Sequence, residues 1–194
     1  MVTEPKQQQE YSETLRVEAD RLSHLVENVL AYARLERGRK GGRREDISLD
    51  ALLERTSSRL NDRATQAEMQ LVDDVSQELR NVLLHTDPQA VEQILFNLVD
   101  NACKYACRAE DRRIRISASR RPGAVVLHVC DQGPGISAKF AGQLFQPFSK
   151  SVEDAAVTAP GVGLGLALCR RLASEIGGSL ELESSDIGAA FRLV

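Results

Sequence analysis

The 194-residue sequence has no apolar run near the roughly 18 residues that a membrane-spanning helix needs. It also lacks the basic-then-apolar order of a secretory leader at its start, MVTEPKQQQEYSETL. Both absences lead to the expectation of a cytoplasmic region, whose parent protein could still be anchored in the inner membrane. No CxxC pair occurs among Cys103, Cys107, Cys130 and Cys169, and no histidine stands at a matching spacing. A zinc site and a disulfide framework are therefore not expected, and the four thiols read as small core residues. A net charge of -3 excludes a general basic field, and the one dense basic run, RGRKGGRR over 37–44, reads as a solvated linker, so no nucleic-acid partner is expected. Internal repeats and low-complexity tracts are absent too.

What is present has the balance of a soluble globular protein, 42% hydrophobic and 27% charged residues. Leu15, Ala19, Leu22, Val26, Val29 and Ala33 alternate steps of four and three, the seam of a helix that packs against other helices. Leu25 and Leu30 widen the stripe beyond what one helix can bury by itself. Gly38, Gly41 and Gly42 then end the pattern. The expected organisation is a long coiled-coil-like helix over 1–36, a linker over 37–46, and a domain over 47–194.

Within that domain, ISLDALLERTSSRL predicts a short strand and then a helix capped by Ser48 or Asp50. Strands are expected around Leu71–Val75 and Val82–His85, and Asp87-Pro88 opens a helix running to about Cys107. Alternation at Ile114, Ile116 and Ala118, followed by AVVLHVC, predicts a hairpin turning at Pro122-Gly123. A helix is expected from about Gly163 to Ile176, ended by Gly177-Gly178, and then two strands, SLELES and AAFRLV, joined through Asp186–Gly188. The predicted fold class is α+β, a two-layer sandwich of a mixed β-sheet with helices on one face.

Three segments carry candidate chemistry. Asn97, Asn101 and Lys104 share one helix face beside the apolar stripe of Val91, Ile94, Leu95, Leu98 and Ala102. Carboxamide oxygens suit magnesium, and an ammonium suits phosphate; a solvated helix face has the same pattern. Asp131-Gln132-Gly133-Pro134-Gly135-Ile136 ends a valine-rich strand with a carboxylate that needs a hydrogen-bond donor, such as an exocyclic amine; a plain turn has it too. Gly161-Val162-Gly163-Leu164-Gly165-Leu166 opens a helix whose free amides face an anion. No strand precedes it, which argues against a dinucleotide-binding crossover and for a mobile lid.

The order of these motifs resembles the histidine-kinase branch of the GHKL ATP-binding family. NLVDNACKYA is similar to its asparagine box, DQGPGI to its first glycine box, LFQPF to its phenylalanine box, and GVGLGLAL to its second glycine box. The resemblance implies ATP and Mg2+ as cofactors, with Asp131 on the adenine amine and Asn101 as the metal ligand. It implies that Lys104 and the amides of Gly161, Gly163 and Gly165, with Val162 and Leu164 between them, meet the triphosphate. Asn97 and Tyr105 would line the same site, as would Gly133, Gly135 and Ile136. Phe145 and Phe148 would anchor a lid over 149–160, with Lys150 reaching a phosphate; ordinary core packing is the other reading of both rings.

The N-terminal helix is similar to the second helix of the family's dimerisation and phosphotransfer domain, which implies a homodimer through that helix and a response regulator downstream. The phosphoacceptor box, a histidine followed by an acidic residue, has no match: His24 precedes Leu25, His85 precedes Thr86, and His128 precedes Val129. Each of the three is expected to be structural, and the phosphoacceptor to lie outside this chain. Hydrolytic members of the superfamily have a glutamate general base where this chain has Asn97, and an amide takes no proton near neutral pH. Phosphoryl transfer to a histidine is therefore expected. Pro160 and Val162 depart from the family pattern and motivate the alternative of a degenerate kinase acting as a nucleotide-binding or dimerisation module.

Overall fold

The computed structural model describes residues 5–37, 42–149 and 163–194. It divides into two compact units, Met1–Arg39 and Lys40–Val194. The first is helix α1, Pro5–Glu36. Its seam residues Leu15, Leu22, Val26 and Val29 are exposed, as is Leu30. The wide stripe read from the sequence is therefore an apolar surface.

The second unit contains β1 (Glu45–Ser48), α2 (Leu49–Gln66), β2 (Gln70–Asp74), α3 (Gln77–Arg80), β3 (Leu83–Thr86) and α4 (Pro88–Tyr105). These are followed by β4 (Arg113–Arg121), β5 (Ala124–Cys130), α5 (Ala138–Ala141), α6 (Gly165–Glu175), β6 (Leu180–Glu183) and β7 (Ala190–Leu193). Local chemistry starts the two main helices. Ser48 Oγ accepts from Ala51 N–H at 3.1 Å at the head of α2. Asp87 Oδ1 accepts from Gln89 and Ala90 N–H at 3.1 and 3.4 Å at the head of α4, with Pro88 in its first turn. Of the two candidate caps of α2, Ser48 is the one used. Helix α4 stops at Tyr105, with Ala106 as its C-cap, two residues before the expected end.

Strands β2, β4, β5, β7 and β6 lie side by side in that order, while β1 and β3 form a separate antiparallel pair. The larger sheet is mixed, because β2 runs parallel to β4 and its other pairings are antiparallel. Strands β4 and β5 form the predicted hairpin, closing at Arg121↔Ala124. The core joins Leu49, Leu52 and Leu60 of α2, Ile94, Leu95, Leu98 and Val99 of α4, and Leu168 and Cys169 of α6 to Ile114 of the sheet. Each such aliphatic side chain contributes about 1.5–3 kcal/mol on burial.

Cys103 and Cys169 are buried as expected, whereas Cys107 and Cys130 are only half-buried. Burial, the largest influence, pushes the Cys103 thiol up to about 11. His128 lies on the sheet face away from Leu127 and Val129, between Ser119 Oγ and Glu183 Oε2, both at 2.9 Å. His85 is exposed against Asp46 at 2.7 Å. The side chain of His24 lies outside the described residues. Among the described residues, no helix is long and apolar enough to cross a membrane.

Candidate functional site

Helix α4 is buried on more sides than a single amphipathic stripe requires. Beyond the predicted apolar face, Phe96, Asn97, Asp100 and Cys103 are buried as well. Two neighbours account for this. On one side α2 lays the Arg59 guanidinium over the Phe96 ring, 4.0 Å from its centroid, and sends Arg63 to Asp100. On the other side is the start of α6, where a β-carbon at Gly165 would lie 3.0 Å from Asn97 Oδ1. Asn97 is 3% exposed, and its Nδ2 donates to Gln93 O at 2.9 Å. At Asn97 this face is thus an internal seam between α4 and α6, not a solvated surface.

Asn101 is half-buried on that face and Tyr105 is exposed beyond it. The Lys104 ammonium is held by the Asp100 carboxylate one turn earlier, Nζ to Oδ2 at 2.5 Å. Arg63 Nε donates to the other Asp100 oxygen at 2.8 Å. Burial alone pushes the Asp100 carboxyl up, but Lys104 and Arg63 together outweigh it and hold the group below the usual carboxylate range.

Asp131 follows the last residue of β5 and is 8% exposed. Its Oδ1 accepts from Gly133 N–H at 2.9 Å and from Ala189 N–H at 3.1 Å. Burial dominates, and these two donors offset it only in part, so the carboxyl lies above its ordinary range. One oxygen is fixed by backbone, and among the described residues no donor reaches Oδ2, which can still accept one.

Close backbone approach brings this carboxylate to the end of α4. A β-carbon at Gly133 would lie 2.9 Å from Ala106 Cβ, so the turn after β5 presses on the C-cap of α4. Across the turn lies Gly188, with φ +72°, where a β-carbon would fall 1.9 Å from Asp131 O. Only glycine fits there. Gly135 lies against Gly188 O, and Ile136 is half-buried just beyond it.

The opening of α6 completes the arrangement. Unlike α2 and α4, it has no side-chain cap: Leu164 stands at the N-cap and makes no such bond. Among the described residues no side chain caps its first amides, which is the arrangement that suits an anion. Phe148 N–H donates to Gly163 O at 2.9 Å, which ties the phenylalanine segment to this helix start. The two phenylalanines behave differently. Phe145 packs edge-on against Phe191 with centroids 6.5 Å apart, whereas Phe148 is 68% exposed at φ +62°. Core packing accounts for the first ring and not for the second. Lys150, Pro160, Gly161 and Val162 lie outside the described residues, and so does the segment expected to form the lid apart from Ser149.

Sequence reasoning did not find Arg63, Asp100, Gly188 or Ala189. The Asp186–Gly188 stretch was legible only as a strand connection, and nothing local marks Arg63 as the partner of a residue on another helix.

This geometry belongs to a known family. The family described as Histidine kinase-, DNA gyrase B-, and HSP90-like ATPase matches residues 86–194, and the chain belongs to it. The C4-dicarboxylate transport sensor protein DctB of Rhizobium meliloti is 39% identical over 103 residues, 53% of this chain and 16% of its own length. The circadian input-output histidine kinase CikA of Synechococcus elongatus is 29% identical over 93% of this chain and 24% of its own length. The sensor protein KdpD of Mycobacterium tuberculosis is 30% identical over 95% and 21%. The chain thus spans about a quarter or less of the length of these curated relatives.

Among solved structures, full-length ShkA in complex with AMPPNP superposes with a TM-score of 0.73 at 28% identity, covering 99% of this chain and 39% of that one. The Acinetobacter baumannii histidine kinase AdeS shares the fold, with a TM-score of 0.71 at 24% identity over 93% of this chain and 80% of its own. The α+β fold, expected from the pattern of strands and helices, and the ATP-binding domain of the sensor-kinase type, expected from the four motifs, are what these likenesses support.

Proposed function

We propose that this chain is the catalytic region of a two-component sensor histidine kinase, which binds Mg-ATP and transfers the γ-phosphoryl group to a histidine outside this chain. The observation that carries the reading is the buried Asp131 carboxylate with one oxygen fixed by the Gly133 and Ala189 N–H groups, which makes an adenine amine a fitting donor for the other. Asn101 and the phosphate oxygens would share a magnesium ion, which prefers a few oxygen ligands and keeps water. Among the described residues no group of three His, Cys, Asp or Glu side chains offers a metal site of another kind. Bound there, the ion would neutralise phosphate charge.

The chain's own part is to position and to exclude. Lys104 and the uncapped amides at Gly163–Gly165 hold the phosphates, Tyr105 and Phe148 border the nucleotide, and Asn97 keeps the seam to α6 closed. Lys150, Gly161 and Val162 extend the phosphate contacts in this reading. Because Asn97 is a buried amide, no side chain there takes a proton from water, so attack by an imidazole nitrogen is favoured. That attack forms a P–N bond and breaks the bond from γ-phosphorus to the bridging oxygen; ADP leaves with the electron pair, and the imidazole N–H proton passes to solvent.

Helix α1 is the second helix of a dimerisation domain in this reading. Its exposed Leu15, Leu22, Val26 and Val29 would pair with further helices of a homodimer. A response regulator would accept the phosphoryl group, and the region would work in the cytoplasm. Calorimetric titration with ATP, with and without magnesium, tests the site, and incubation with labelled ATP and a phosphoacceptor-helix protein in trans tests the reaction. Magnesium-dependent binding followed by acid-labile phosphorylation is expected. Binding without transfer would instead favour a degenerate, regulatory kinase module.

A further inference from the structure

The Asp100 carboxylate serves two cations at once, and this bears on how Lys104 meets a phosphate. Asp100 is 6% exposed, one turn before Lys104 on α4. Its Oδ2 lies 2.5 Å from Lys104 Nζ, and its Oδ1 accepts from Arg63 Nε at 2.8 Å. Both cationic side chains are mostly covered, Lys104 to 21% and Arg63 to 22% exposure. Arg63 belongs to α2 and to none of the motifs that suggest nucleotide binding. Its place is further fixed through its carbonyl, which accepts a weak bond from Cys103 Sγ at 3.7 Å.

A lysine paired with a carboxylate at this distance is close to a neutral dipole when viewed from a few ångströms away, and it offers a phosphate little net attraction. Adding Arg63 changes the sum: one carboxylate between two cations leaves one positive charge. Lys104 also keeps two of its three N–H donors. An arginine in this place is always charged, so the neutralisation does not depend on pH.

We propose that Arg63 is a positioning residue for phosphate recognition: by neutralising Asp100 it leaves the Lys104 charge available to the nucleotide while Asp100 holds that ammonium in place. The proposal rests on the reading of Lys104 as a phosphate contact. It differs from a plain brace between α2 and α4, which would affect every ligand of the site alike.

The test compares adenosine with ATP, titrated in the presence of magnesium by NMR chemical shifts, in the 194-residue chain and in Arg63→Gln, Arg63→Lys, Lys104→Gln and the double variant Arg63→Gln/Asp100→Asn. Arg63→Gln is expected to weaken ATP about tenfold and adenosine less than about twofold. Arg63→Lys should keep most of the ATP affinity. The double variant removes the carboxylate together with its neutralising partner, and it should recover most of the ATP affinity lost in the single one. Equal loss of adenosine and ATP in Arg63→Gln, or a double variant no better than the single, would overturn the proposal. Should Arg63→Gln not fold, the double variant decides, because removing both members of a buried pair is far better tolerated than removing one; an ATP-to-adenosine ratio well below that of the parent then refutes the idea. Lys104→Gln separates the two levels. If it leaves the ratio unchanged, the assignment of Lys104 to phosphate falls and the proposal with it; if it lowers the ratio and Arg63→Gln does not, only the role of Arg63 falls.

Discussion

Two buried carboxylates on neighbouring elements have been treated in opposite ways. Asp100, in the second half of α4, gives each of its oxygens to a cation and is held below the usual carboxylate range. Asp131, after β5, receives only two backbone N–H groups on one oxygen and is pushed above that range by burial. A carboxylate satisfied within the protein organises its neighbours, whereas one left partly unsatisfied is prepared for a ligand that completes it. Burial by itself does not distinguish the two; the number and charge of the partners does.

The contrast is most severely broken at Gly188. Alanine there would put a β-carbon 1.9 Å from Asp131 O at φ +72°, so Gly188→Ala is expected to abolish ATP binding and to lower stability by about 2–4 kcal/mol. Calorimetry and urea unfolding measure the two effects. Next in size is Asp100→Ala, which leaves Lys104 and Arg63 facing each other without their carboxylate. Removing one partner of a fully buried pair costs about 3–5 kcal/mol; with both cations about one-fifth exposed the loss here is expected at about 1–3 kcal/mol, read by the same unfolding experiment.

Asp131→Asn separates function from stability. The amide keeps an oxygen for Gly133 and Ala189 but loses the charge, so ATP binding should vanish while the unliganded protein gains stability at pH 7. The sign follows from the direction of the shift. A carboxyl whose folded value is raised binds its proton more tightly when folded, so its contribution to stability is fully present below the unfolded value and is lost as pH rises through the folded one. The melting-temperature difference between Asp131→Asn and the parent should therefore be positive at pH 7 and shrink toward pH 4. A difference independent of pH would show that Asp131 is not strained.

The smallest effect is expected at Ile187, which is 63% exposed in the turn that positions Asp131. Ile187→Ser should change stability by less than about 0.5 kcal/mol and leave ATP affinity unaltered. That result would confine the role of the turn to its backbone, at Gly188 and Ala189.

Much of the candidate site was readable along the chain. Asp87-Pro88 marked the head of α4, and the valine-rich strand followed by Asp131 and two glycines marked a carboxylate at a tight turn, because caps, turns and apolar periods act within a few residues. The two phenylalanines of one short motif looked alike, yet Phe145 found Phe191 in a distant strand and Phe148 took an exposed, left-handed backbone position. Asn97 and Lys104 were readable as occupants of one helix face, but not as groups already engaged by Gln93 and Asp100.

The sequence by itself determined where helices begin, which faces are apolar, and which glycine-rich turns a ligand can approach, since each of these rests on propensities and hydrogen bonds between near neighbours. Only the tertiary structure decided which buried charge is satisfied and which is left open. Arg63 reaches Asp100 because α2 packs on α4, and Ala189 reaches Asp131 because β7 pairs with β5. Such partners are set by how helices pack and in what order strands lie side by side, and neither is written in any local stretch of the chain.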